Sequence, residues 1–281
     1  MPYREVIANA YDAGVEEEYN RLTESPLREA EFQLIIDLLN EYIPNGATVI
    51  DVGSGPGRYA EYLLKRNCKV GVVDLSAKSL KAFSDRMENS CCRQNIIFNQ
   101  VSCATQLNWI ADNSADAILL MGPLYHLIDE EHRNKALNHC KRILKPGGYL
   151  FSVFLSPFPL LNNANRFHEG SYLFTNKDLY KHIKSDITTH THFQGFEVPQ
   201  YRCWPKDVEK LMFANGFDTV RIRNIEGIGS FYNNEKLKEY SNPKQKLSLI
   251  NTLRFSSEVE KLRGITHQFV CVGKSLQTLM Q

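Results

Sequence analysis

The chain has 281 residues, and 33 Lys plus Arg against 32 Asp plus Glu leave a formal net charge of +1. That length fits one large domain or a domain with a substantial insertion, and 43% hydrophobic with 23% charged residues is the balance of a chain that buries a sizeable core, which excludes disorder as the main state. The near-neutral balance lays down no polybasic footprint for nucleic acid or an acidic membrane surface.

Cysteine usage and hydropathy narrow the setting. The seven cysteines form no Cys-x-x-Cys pair, and only Cys91 and Cys92 are adjacent, so neither a disulfide framework nor a zinc site is expected. No apolar run approaches the roughly 18 residues that span a bilayer, and the N-terminus lacks a secretory core. The expected compartment is cytoplasmic, with no membrane partner.

Taken in chain order, apolar residues Phe32, Ile35, Ile36, Leu39 and Ile43 recur at helical spacing from Arg28 to Tyr42, and Pro44-Asn45-Gly46 stops that run. Short apolar, β-branched stretches follow at Ala47 to Val52, Lys69 to Asp74, Asn95 to Asn99, Ala115 to Met121 and Tyr149 to Leu155, and read as central strands. Helical patterns lie between them: Arg58 to Lys65, then Leu80, Phe83 and Met87, then Ala136 to Leu144, closed by Pro146-Gly147-Gly148. Strand alternating with helix predicts an α/β, doubly wound, mostly parallel sheet.

After Leu155 the pattern changes. Residues 156–204 are rich in Phe, Tyr, Asn and His, with brief helical hints near Asn176 to Lys184, and read as an inserted lid. Pro205 opens a helix with an apolar stripe at Val208, Leu211 and Met212, which Gly216 ends. Phe217 to Glu226 and His267 to Lys274 read as strands, separated by a polar, helical insertion near 230–263 in which Ser256 or Ser257 caps Glu258 to Leu262. Four parts result: 1–46 as a helical cover, 47–155 as the binding core, 156–204 as the insertion and 205–281 as the end of the sheet.

The sharpest motif is Val49-Ile50-Asp51-Val52-Gly53-Ser54-Gly55-Pro56-Gly57-Arg58, a buried strand running into a glycine-rich turn and then a helix. Glycines there turn the backbone tightly and admit a ligand to the main chain. Asp74, followed by Leu75, ends the second strand where an acid accepts hydrogen bonds from both hydroxyls of an adenosine ribose. A dinucleotide loop needs its third glycine where Arg58 stands, and Asp51 would repel a pyrophosphate. Asp51 suits instead a ligand with an ammonium and a sulfonium, which describes S-adenosylmethionine.

With these residues in view, the chain resembles the class I S-adenosylmethionine-dependent methyltransferases of small-molecule type. Asp51 to Gly57, Asp74, Gly122-Pro123-Leu124-Tyr125-His126-Leu127 after the fourth strand and Leu144-Lys145-Pro146-Gly147-Gly148 before the fifth carry the resemblance, in the family's order and intervals over about Ala47 to Leu155. It implies a seven-stranded Rossmann-like sheet, a glycine loop for the methionine part of the cofactor, Asp74 for the ribose and Gly122 onward facing the transferred methyl. Tyr11-Asp12 and Arg21-Leu22 look like N-terminal helices that fold over the cofactor in that branch. One departure stands out: where many relatives place an acid before a small residue to bind the adenine amino group, this chain has Cys103-Ala104.

Methyl transfer from a sulfonium mainly needs alignment and exclusion of water. His126 is the candidate base and Tyr125 the candidate for orienting the acceptor; the competing reading is that both pack a loop or cap a helix. Arg58 stands where a guanidinium meets the cofactor's carboxylate, against the reading of an exposed helix residue. Asp51 ends an apolar strand, a costly place for an acid without a partner. His190-x-His192, with His168 and His182 nearby, has no matched ligands, so no metal is expected. The aromatics Phe151, Phe154, Phe158, Phe167, Tyr172, Phe174, Phe193 and Phe196 suit an acceptor pocket or plain packing, and the lysine-rich Lys236 to Lys246 reads as a solvated face. A small-molecule methyltransferase is the leading expectation. An RNA or protein methyltransferase is disfavoured by the charge and by the absence of Asp/Asn-Pro-Pro-Tyr, while a non-catalytic S-adenosylmethionine-binding protein stays open. Nothing in the sequence sets the oligomeric state.

Overall fold

The computed structural model describes residues 3–159, 187–231 and 242–276. It opens with helices α1 (Arg4–Ala13) and α2 (Val15–Asn20), a 3₁₀ turn at Arg21–Thr23, and α3 (Pro26–Tyr42). The last starts two residues before the expected Arg28 because Ser25 caps it, accepting from the Arg28 amide at 3.3 Å, with Pro26 in the first helical position. Strand and helix then alternate through β1 (Thr48–Val52), α4 (Arg58–Lys65), β2 (Lys69–Asp74), α5 (Ala77–Met87), β3 (Ile96–Val101), β4 (Ala115–Leu120), α6 (Pro123–His126), α7 (Glu130–Ile143) and β5 (Leu144–Leu155). The remaining elements are β6 (Ile187–Phe193), β7 (Phe196–Arg202), α8 (Pro205–Ala214), β8 (Phe217–Asn224), α9 (Pro243–Glu258) and β9 (Gln268–Ser275).

Strands β3, β2, β1, β4 and β5 lie side by side and parallel; β9 then pairs antiparallel with β5, and β8 with β9. Seven strands were expected, and the sheet has nine. The two additional strands are the hairpin β6–β7, which joins the end of β5 through Leu155 opposite Arg202. Its signal was faint in the sequence: Ile187 to Phe193 alternates β-branched and polar residues, but the turn is Gln194-Gly195, both at positive φ (54° and 80°), where Asn-Gly is the commoner pair.

Each face of the sheet buries its own apolar layer. Leu137 and Ile143 of α7 and Val208 and Met212 of α8 cover one face with Phe154 and Phe217. Ile35 and Leu39 of α3, Leu63 of α4 and Leu80 and Phe83 of α5 cover the other. Each such side chain contributes about 1.5–3 kcal/mol on burial. The strand order reverses between β1 and β4, and the crevice outside their carboxyl ends is where ligands bind in such sheets.

Near the C-terminus Ser256 and Ser257 are not caps. They sit in the last turn of α9, where their hydroxyls donate back to the Leu253 and Arg254 carbonyls at 3.2 and 2.7 Å. The cap of that helix is Asn242, which accepts from the Lys244 amide at 2.9 Å. The helical hint at Asn176 to Lys184, with His168, His182, Phe167, Tyr172 and Phe174, lies outside the described residues, as does Lys236.

Candidate functional site

The turn after β1 forms the floor of a cavity. Gly53, Gly55 and Gly57 all have positive φ (75°, 52° and 88°). A Cβ at Gly53 would meet Pro123 at 2.5 Å and one at Gly57 would meet Phe83 at 2.3 Å, so packing forbids a side chain at both. Above Gly55 the space is open, the nearest atom being Glu18 Cγ at 3.8 Å. The middle of the loop is thus bare backbone facing the cavity.

Two acids flank that floor. Asp74 accepts from the Gly55 amide at 2.7 Å and the Ser76 amide at 2.8 Å. Burial raises its carboxyl to about 6 against the pull of these amides. Asp51 is 2% exposed, and its Oδ2 has no hydrogen-bond partner among the described residues. Burial first, then the charge of Asp74, pushes it up to about 8. A buried acid without a counter-ion beside open glycine backbone fits a ligand that brings an ammonium, and Asp74 keeps lone pairs for hydroxyl donors.

The N-terminal elements roof the cavity with Ile7 and Tyr11 of α1, Glu18 of α2, and Arg21 and Leu22 of the 3₁₀ turn. Arg21 donates to Glu18 at 3.1 Å and to Glu31 at 3.0 Å, while Arg28 reaches Glu31 at 2.6 Å. Burial alone would raise the Glu31 carboxyl, but the two guanidiniums overcome it and hold it below the ordinary range. Arg58, at the start of α4, also lines the cavity; its guanidinium stacks over the rings of Tyr19 (4.7 Å) and Phe32 (5.6 Å).

The wall beyond β4 consists of Met121, Gly122, Pro123, Tyr125 and His126, and the wall beyond β3 of Ser102, Cys103 and Ala104, with Leu75 between the floor and the latter. Cys103 and Ala104 are buried there, so the position that departs from the family still faces the cavity. Burial first, then the charge of Glu18, raises the Tyr125 hydroxyl to about 12. His126 is buried; its Nε2 lies 3.0 Å from the Tyr11 hydroxyl and its Nδ1 3.1 Å from the Pro199 carbonyl. Fourteen of the fifteen residues singled out from the sequence therefore border one cavity; Gly57 does not, and packs against Phe83 instead. The sequence did not point to Pro199; Phe193, named there only among aromatics for an acceptor pocket or plain packing, has its ring 5.2 Å from Tyr11, and both residues come from the hairpin. Among the described residues no three His, Cys, Asp or Glu side chains gather as they would around a metal ion, and no helix is long and apolar enough to cross a membrane.

Comparison with known proteins agrees with this geometry. Residues 49–148 match the Methyltransferase domain family. The chain is 25% identical over 197 residues to the ubiquinone/menaquinone biosynthesis C-methyltransferase UbiE of Francisella tularensis subsp. novicida, covering 66% of this chain and 72% of that protein. It is 30% identical over 110 residues to a tRNA (carboxymethyluridine(34)-5-O)-methyltransferase of Arabidopsis thaliana, covering 39% and 24%. In fold it is similar to a Methanosarcina mazei S-adenosylmethionine-dependent methyltransferase (TM-score 0.57, 16% identity, 86% of this chain and 98% of that one). It is likewise similar to the Burkholderia thailandensis 1,6-didemethyltoxoflavin-N1-methyltransferase with bound 1,6-didemethyltoxoflavin and S-adenosylhomocysteine (TM-score 0.59, 15% identity, 98% and 90%). Glycine turn, paired acids and sheet order, together with the matched domain, support a class I S-adenosylmethionine-dependent methyltransferase.

Proposed function

We propose that the enzyme transfers the methyl group to a small-molecule acceptor, and that the cavity under α1 and α2 is where it does so. The observation that carries this reading is the enclosure: roof residues Ile7, Tyr11 and Leu22 face floor residues Gly53 and Gly55, and Met121 and Tyr125 close the side where the methyl would lie. A covered, partly apolar chamber suits a compact acceptor better than a segment of a polymer. The near-neutral net charge supplies no overall basic field to draw a polyanion to the chain. Two relatives bear on this: the C-methyltransferase UbiE, named for ubiquinone and menaquinone biosynthesis, and the toxoflavin enzyme with its bound heterocycle.

In this reading S-adenosylmethionine supplies an activated methyl on a sulfonium. Asp74 accepts from the ribose hydroxyls, with Leu75, Cys103 and Ala104 against the adenine. Gly53, Ser54, Gly55 and Gly57 let the backbone approach the methionine part, and Asp51 neutralises its ammonium. Arg21 and Arg58 lie on the side of the carboxylate, and Gly122 and Tyr125 border the methyl. The roof excludes water and holds the acceptor in line.

The tRNA methyltransferase relative gives the second reading, an RNA acceptor. Incubation with methyl-labelled cofactor and separated small-molecule, RNA and protein fractions of a cell extract decides between them. Label in the small-molecule fraction is the expected result; label confined to RNA or protein would overturn it.

A further inference from the structure

His126 sits where three elements meet. Its Nδ1 faces the Pro199 carbonyl of β7 at 3.1 Å, and its Nε2 faces the Tyr11 hydroxyl of α1 at 3.0 Å. A carbonyl oxygen only accepts, so Nδ1 carries the ring proton. In the neutral ring Nε2 is then the acceptor, and Tyr11 donates to it. Burial keeps the ring neutral, lowering it to about 4, so the assignment holds across the neutral range. The single hydroxyl proton of Tyr11 is thereby spent on His126; the Tyr125 hydroxyl lies beside the same oxygen, and the lone pair that Tyr125 leaves over is the one that can meet a ligand in the cavity both residues line. Its ring is braced by Phe193 at 5.2 Å and stands edge-on to His126 at 5.7 Å. Tyr125, Glu18, Asp74 and Arg21 are the ionisable groups that act on that hydroxyl; burial, then Tyr125, keeps it protonated.

We propose that the Tyr11 oxygen accepts a hydrogen bond from an N–H of the methyl acceptor, and that His126 is a positioning residue that directs the Tyr11 proton, taking none from the acceptor. The proposal rests on the small-molecule reading and names its acceptor class: an amine nitrogen with at least one N–H, nucleophilic without a side-chain base. The nitrogen lone pair forms the new bond to the methyl carbon and the carbon–sulfur pair leaves on sulfur. The resulting ammonium then gives its extra proton to water. Tyr11 holds the N–H so that the lone pair points at the methyl carbon.

The test begins without an acceptor. In ¹⁵N-histidine-labelled protein with S-adenosylhomocysteine, His126 should show a protonated Nδ1 and an unprotonated Nε2 that do not titrate across the neutral range, and Tyr11→Phe should shift Nε2 alone. A protonated Nε2, or a ring that titrates near neutral pH, overturns the proposal. Turnover is then measured on a panel of primary and secondary amines. Tyr11→Phe should lower kcat/KM by roughly 10-fold or more while cofactor Kd changes less than about 2-fold, the loss of one hydrogen bond near the reacting atoms. His126→Leu should match it, and His126→Gln, whose Oε1 accepts where Nε2 did, should recover most of the loss with an unchanged pH profile. If His126→Gln is as slow as His126→Leu and both lose an acid limb of the profile, His126 is a base and the proposal fails. If no amine is methylated but other small molecules are, the acceptor class is wrong; label confined to RNA or protein overturns the small-molecule reading itself. The ¹⁵N result is independent of both.

Discussion

Asp51 shows how a single buried side chain ties stability to binding. In the free protein it is protonated at neutral pH, because burial and the neighbouring Asp74 raise it to about 8. A ligand ammonium favours the ionised form, so binding of the cofactor should release about one proton. Cofactor Kd should then fall as pH rises, by at most about tenfold per unit below the free-state value, and level off above it. Calorimetry in two buffers of different ionisation enthalpy checks this, and equal apparent enthalpies would contradict it. The same shift costs stability. An acid raised in the fold contributes fully below its unfolded pKa, and that contribution is lost as pH rises towards about 8. Asp51→Asn should therefore stabilise the free protein in mildly alkaline denaturant titrations, by an order of a few kcal/mol, while weakening cofactor binding. Asp74→Ala should weaken binding by about 1–3 kcal/mol if its carboxylate holds the ribose, and an unchanged Kd would remove that role.

At the scale of elements, the glycine turn and the roof have different requirements. Gly57 stands at φ 88° with Phe83 2.3 Å from where a Cβ would be. Gly57→Ala should cost about 1–3 kcal/mol of stability, since both the left-handed backbone and the aromatic must give way, and equilibrium denaturation will show it. Gly14 joins α1 to α2, and a Cβ there would meet Phe193 of the hairpin at 2.7 Å. Ala10 of α1 and Val198 of β7 share one small apolar cluster with Tyr11 and Phe193, so the hairpin is what seats the roof. Gly14→Val should loosen that seat, leaving the sheet and its unfolding midpoint nearly intact while raising the cofactor dissociation rate several-fold in stopped flow. A lowered midpoint with an unchanged dissociation rate would assign Gly14 to the core instead.

Across the whole molecule, the roof, the floor and the β4 wall border one cavity, although they belong to segments far apart in the chain. A ligand that recognises only the folded arrangement stabilises it by about 2.7 kcal/mol at a concentration of 100 Kd. Saturating S-adenosylhomocysteine should therefore raise the melting temperature by roughly 5–10 °C. Glu31→Gln tests the network from the opposite side: it removes the carboxylate that Arg21 and Arg28 share and leaves them Glu18 and Glu226. Because both guanidiniums are partly exposed and keep an acid each, the cost should stay below the about 3–5 kcal/mol of a fully buried charge left alone, to be read from denaturant unfolding.

The parallel core was legible because each of its pieces is local. Val49 to Val52 and Lys69 to Asp74 are continuous apolar runs, as strands buried on both faces must be, and Gly53, Gly55 and Gly57 stand where a backbone must turn without side chains. The positions of Asp51 and Asp74 were legible for the same reason, since an acid closing an apolar strand marks a place where something must meet it. The hairpin was not, because β6 and β7 carry a weak alternation and become strands only by pairing with each other and with the end of β5. Nor were the partners of His126: the sequence marks a histidine after the fourth strand, but whether its lone pair is free depends on Tyr11 and Pro199, 115 and 73 residues away. The sequence by itself determined the parallel core of the sheet, the glycine turn and the cofactor class, all set by backbone sterics and burial within short stretches. Only the tertiary structure decided which face of His126 is spent, how the roof is held, and that Asp51 stands without a counter-ion among the described residues, because hydrogen-bond pairing and desolvation belong to the packed molecule.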